Sequence, residues 1–153
     1  AAVMNIIPPQ RAGAIARTAG VADNTGWCPI NPVTFESTLV KGVHVVGDAT
    51  IAAPLPKSGT AANTEAKVAA AAVVEMLAGR MPTGQVLSNT CYSLVTPDWA
   101  ISVTGVHNTT ATGITTPPGS GGVSPAGRDD AFRKQEAGYA RAWYASITRD
   151  AWG

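Results

Sequence analysis

The stretch VHVVGDATIAAPLPKSGTAANTEAKVAAAAVV, residues 43–74, constrains the fold more than any other part of the chain. Val43 to Val46 is a β-branched run bounded by Gly42 and Gly47, the pattern of a short buried strand. A loop containing Pro54 and Pro56 follows. From Ser58 the composition turns to alanine and predicts a helix through about Ala78. Ser58, Thr60 and Asn63 are candidate N-caps, and Gly79 is the stop. Strand, loop and helix in this order form a unit of an α/β fold, and the unit places one carboxylate, Asp48, at the end of the strand.

That position matters because ligands of doubly wound sheets bind beyond the carboxyl ends of the strands. A carboxylate there accepts hydrogen bonds from sugar-type hydroxyls, and Gly47 lets a ligand or another backbone come close. The helix start near Ser58–Ala62 offers free N–H groups and partial positive charge, a suitable neighbour for a group that becomes anionic. The same residues also read as a plain turn that Asp48 merely caps. Spacing alone leaves both readings open.

Elsewhere Val3–Ile7 reads as a short strand closed by Pro8-Pro9, and Gln10–Thr18 as a short helix stopped by Gly20. Asp23–Gly26 is turn chemistry, and Trp27–Phe35 is irregular or extended. After a turn at Pro82–Gly84 come two strand-like runs, Cys91–Val95 and Ala100–Val106. Thr109–Gly127, rich in Thr, Pro, Gly and Ser, reads as a surface loop. Asp129 to about Arg149 reads as a final helix, with Phe132, Glu136, Tyr139, Trp143 and Ile147 as its packing stripe. The natural division is near Gly79–Gly84, giving units 1–80 and 81–153. The fold class expected is α/β followed by a small α+β domain.

With 153 residues, 45% of them hydrophobic, the chain can bury a core, and a net charge of +1 gives no footprint for nucleic acid. No apolar run reaches the roughly 18–20 residues of a membrane span. The best candidate, Ala66–Leu77, carries Lys67 and Glu75. The chain opens in an apolar run without Met or a signal-peptide pattern, which suggests the C-terminal piece of a longer protein. Neither Cys28 nor Cys91 has a second close Cys or His, so no metal site is expected. A Cys28–Cys91 disulfide stays open. His44 reads as packed and His107 as solvated. Trp27, Trp99, Trp143 and Trp152 read as core or interface aromatics. Arg128, Arg133, Lys134 and Arg141 make the last helix basic.

Several segments, in order, resemble the flavoprotein subunit of flavocytochrome c sulfide dehydrogenase. They are NIIPPQRAG (5–13), GWCPI (26–30), TFES (34–37), residues 43–74, NTCYSLV (89–95), ISV (101–103), SGGVSP (120–125) and Trp143-Tyr144. The resemblance spans essentially the whole chain. It implies the end of a two-dinucleotide-binding-domain FAD fold, followed by a small α+β domain that closes over the flavin. The implied cofactor is FAD, held by Gly47, Asp48, Lys57, Ser58, Gly59, Ala62 and Asn63. Cys91 maps onto one half of a redox-active disulfide beside the flavin, and Cys28 is left structural. The partner cysteine, the cysteine that tethers the flavin and the Gly-x-Gly-x-x-Gly loop would lie in an N-terminal remainder of the same flavoprotein. Hydrosulfide, itself thiolate-like, attacks such a disulfide, and the electrons pass through the flavin to a c-type cytochrome subunit. The implied compartment is the periplasm. Alternatives are a sulfide:quinone reductase of the same fold and, for the isolated chain, a non-catalytic interaction module.

Overall fold

The computed structural model describes residues 2–153. Its C-terminal half is an antiparallel sheet backed by a long helix. β1 (Val86–Thr96) and β2 (Trp99–Thr110) form a hairpin whose pairing runs from Val86↔Asn108 to Thr96↔Trp99, with an irregularity between Leu94 and Thr96. Both strands are longer than the runs read from the sequence. β3 (Gly113–Thr115) and β4 (Gly121–Val123) pair with the other edge of β2. Residues 109–127 are therefore more than a surface loop. Their polar, glycine-rich composition hides two strands of three residues each, which exist because β2 offers an open edge. Ile114 of β3 is buried. Gly121 lies so close to β2 that a Cβ there would stand 2.8 Å from the Thr104 carbonyl oxygen.

The last helix, here α3 (Asp130–Trp152), is capped by Asp129, which accepts from Phe132 N at 3.0 Å. It crosses one sheet face, where Glu136 accepts from Ser102 at 2.9 Å and Trp143 lies 6.2 Å from Tyr92 between ring centroids. Its buried line is Arg133, Glu136, Ala137 and Ala140, one step round from the expected stripe. Tyr139 is 52% exposed, and Trp152, at 86%, is no core residue.

The alanine-rich stretch is helix α2 (Gly59–Leu77), as its pattern predicts. Ser58 caps it by accepting from Ala61 N at 3.1 Å, and Gly79, at φ 71°, follows its end. Buried Ala61, Glu65, Val68, Ala69 and Ala72 fall on one face. The helix docks on β1 through two hydroxyls: Thr60 donates to Thr90 O at 2.8 Å and Thr64 to Ser88 O at 3.2 Å.

The part before α2 departs from expectation. Val43–Val46 is not a strand. His44 makes a single bridge to Glu36, and Val43 and Val46 are each 37% exposed. A strand needs a neighbour along its whole length, and the segment finds only local partners, with Ser37 N donating to Val43 O and Val45 N to Phe35 O. Gly47–Ala49 is one turn of 3-10 helix. Val3–Ile7 is not a strand either, and Val3, Met4, Ile6 and Ile7 are exposed. Helix α1 is only Ala14–Thr18. Among the described residues there is no parallel sheet, so the dinucleotide-binding fold is not seen and the small α+β unit is. One core joins both halves: Ile30, Phe35, Leu55 and Val68 pack in the same cluster as Leu87 and Ile114.

Candidate flavin- and thiol-bearing site

The site is built around the start of α2. Gly47 has φ 79°, and a Cβ on it would press to 3.4 Å from the Ala62 methyl, so only glycine suits the turn. Its N–H donates to the carboxylate of Glu65 two turns into α2. Glu65 is 2% exposed, and burial pushes its carboxyl up to about 7, against the opposing pull of the Gly47 N–H and of Lys57. The Asp48 side chain stays exposed. Lys57 donates to Thr50 O at 2.8 Å and to Asp48 O, and its ammonium lies 4.0 Å over the Trp27 ring. It therefore straps the loop together.

Of the residues expected to hold a cofactor, Gly47, Asp48, Lys57, Ser58 and Ala62 line one cavity of about 170 Å³ with Trp27 and Glu65. Gly59 and Asn63 lie outside it. A Cβ on Gly59 would meet the Trp143 ring at 3.8 Å. Asn63, together with Lys67, which acts more strongly, holds the Asp150 carboxyl below its usual range.

Cys91 is a free, exposed thiol on β1. Its cross-strand neighbour is Val103, which in turn faces Val123. Facing residues share a sheet side, and Tyr92 and Ser102, the next pair along, meet α3. Cys91 thus lies on the side away from α3, beside valines that are 49% and 70% exposed. Its Sγ donates to Asn89 Oδ1 at 3.7 Å, and the same oxygen accepts from the Ser58 hydroxyl. Cys28 is also free, fully buried, and its thiol is pushed up by desolvation. The two cysteines are not bonded to each other.

The two histidines divide. His44 is half-buried with Nδ1 2.8 Å from Thr34 O, a packed residue as expected. His107 is not solvated. It sits in β2 at 4% exposure, with Nδ1 2.8 Å from Thr116 Oγ1 and Nε2 without a partner, and burial lowers its pKa. The irregular chain after it looked like solvent-exposed loop, whereas β3 and β4 cover that edge. Sequence reading missed Glu65 and Asn89. Glu65 carries one usable signal: it falls four residues after Ala61 and three before Val68, on the buried face. Among the described residues no group of three His, Cys, Asp or Glu side chains is placed to hold a metal ion.

A cavity of about 170 Å³ is smaller than the roughly 300–1,000 Å³ of a typical ligand pocket. The residues fit one edge of a flavin: an exposed carboxylate for hydroxyls, a glycine turn that admits close approach, and a capped helix N-terminus. The open thiol of Cys91 reaches this helix start through Asn89 and Ser58. Residues 84–152 match the family described as flavocytochrome c sulphide dehydrogenase, flavin-binding. Over that stretch the chain is similar to a flavin-binding domain of flavin-dependent oxidoreductases, which is consistent with FAD as its cofactor. The family's name carries a cytochrome c partner. No helix among the described residues is long and apolar enough to cross a membrane.

Proposed function

We propose that the chain is the thiol-bearing wall of a flavin-dependent sulfide dehydrogenase that delivers electrons to a c-type cytochrome in the periplasm. One observation carries the reading: the exposed thiol of Cys91 lies on an open sheet side and is hydrogen-bonded through Asn89 to the cap of α2. Cys91 is paired in the resting enzyme with a second cysteine of the same flavoprotein. Hydrosulfide attacks one sulfur of that disulfide. The S–S bond breaks, a new S–S bond forms as a cysteine persulfide, and the other cysteine leaves as a thiolate that keeps the bonding pair. FAD, when bound, supplies an acceptor for two electrons that can release them singly to haem.

The chain's own residues bind and orient. Asp48 accepts hydroxyl hydrogen bonds from the cofactor chain, and Gly47 gives it room. The start of α2 at Ser58 and Gly59 stabilises negative charge that develops beside it. Val103 and Val123 keep water from the sulfur once a flavin covers them.

The test is flavin bleaching by sulfide in the whole flavoprotein, with Cys91→Ser beside the parent. Loss of bleaching with flavin still bound is the expected result. Bleaching at an undiminished rate removes Cys91 from the reaction.

A further inference from the structure

We infer that Asn89 is a positioning residue for Cys91, holding the thiol proton and turning the sulfur toward the start of α2. The inference rests on the reading of Cys91 given above for its functional weight, while the geometry concerns the thiol alone. Asn89 is 2% exposed, and its side-chain oxygen takes two hydrogen bonds, one from the Ser58 hydroxyl and one from the Cys91 thiol at 3.7 Å. A carboxamide oxygen has two lone pairs, so both are used. Ser58 is committed on both sides as well, because its oxygen accepts from Ala61 N at 3.1 Å while its hydrogen goes to Asn89. Ala61 N–H, Ser58, Asn89 and Cys91 therefore form one chain of hydrogen bonds from the helix start to the sulfur.

Asn89 and Cys91 are two apart on β1 and share a side. A second backbone contact fixes the strand there, since Thr104 Oγ1 donates to Asn89 O at 3.1 Å. The amide has little freedom, and the thiol follows it. The sulfur must give up its hydrogen bond to Oδ1 before it turns to an incoming reagent. Removing the acceptor removes that cost, whereas a carboxylate in its place is a stronger acceptor and holds the thiol more tightly.

The test is the rate at which iodoacetamide modifies Cys91 in the reduced whole flavoprotein, read on the Cys91 peptide by mass spectrometry. Asn89→Leu, which removes the acceptor, is expected to react about threefold to tenfold faster than the parent. Asn89→Asp, which keeps an oxygen in place, is expected to react more slowly than the parent. A purely structural Asn89 loosens the site in both variants and speeds both, and that outcome, or no change in either, overturns the inference. Should Asn89→Leu fail to fold, the sign for Asn89→Asp alone decides. No sulfide or turnover enters the measurement, so bleaching in Cys91→Ser and alkylation in the Asn89 variants can fail independently.

Discussion

Glu65 shows what a single residue contributes. A carboxyl buried to 2% and raised to about 7 binds its proton more tightly in the folded chain than in the unfolded one. The groups that face it are the Gly47 N–H and Lys57, which favour its charge, and Asp48, which opposes it. The folded state then holds more protons between about 4.5 and about 7, so Glu65's contribution is complete below that window and is lost as pH rises through it. Glu65→Gln keeps an acceptor for Gly47 and removes the titration. Its stability is expected to change less with pH across the window, and at pH 8 to exceed the parent's by an amount on the order of 3 kcal/mol at most. Urea unfolding at pH 5 and pH 8 checks this, and parallel pH curves for the two proteins reject it. Ser58 was legible as a cap because Ser followed by an alanine-rich run is a helix start. Glu65 was far less so, because a glutamate on such a helix reads as solvated until the turn at Gly47 is seen to close over it.

At the scale of an element, α3 is anchored by a buried ion pair. Arg133 donates to Glu136 at 2.8 Å and to Pro125 O at 2.6 Å, and its guanidinium lies 5.1 Å from the Trp99 ring centre. Desolvation works against the Glu136 charge, but hydrogen bonds from Ser124, Ser102 and Arg133 outweigh it and hold the carboxyl below its usual range. A lowered carboxyl contributes stability above the unfolded value and loses it as pH falls through the folded one. Glu136→Gln is therefore expected to flatten the acid limb of the stability curve, measured by urea unfolding from pH 6 to pH 3. Arg133→Met leaves Glu136 buried without its cation, and a loss of about 3–5 kcal/mol is expected. A loss under 1 kcal/mol would show the two serines to be enough. Helices α2 and α3 were legible because each has a cap and a period. Val43–Val46 was misread because β-branched residues predict a strand only where a neighbour exists to pair with it. β3 and β4 were invisible for the converse reason: glycines and threonines become strand only because β2 is there.

At the scale of the whole molecule, the hydrogen bonds from Ser58, Thr60 and Thr64 to Asn89, Thr90 and Ser88 tie α2 to the edge of β1. Lys67 and Asp150 join α2 to α3 at 2.6 Å, but this pair is exposed and adds little. The apolar link is Leu87, fully buried in the cluster that also holds Phe35, Leu55 and Val68. The linker-like turn at Pro82–Gly84 suggests a division near Gly79–Gly84, and sequence has no means of showing that a leucine three residues beyond it packs against residues from the other side. With Leu87 in a shared core, the thiol on β1 and the Gly-Asp turn before α2 keep their relative places through packing as well as through Asn89. Leu87→Ala is expected to cost about 2–5 kcal/mol. If the core is shared, hydrogen exchange in this variant rises in α2 and in the hairpin together, since one cluster loses its contacts on both sides. Faster exchange confined to β1 and β2 would instead make the hairpin an independent unit, leaving only the hydroxyl contacts to hold the thiol against the helix start.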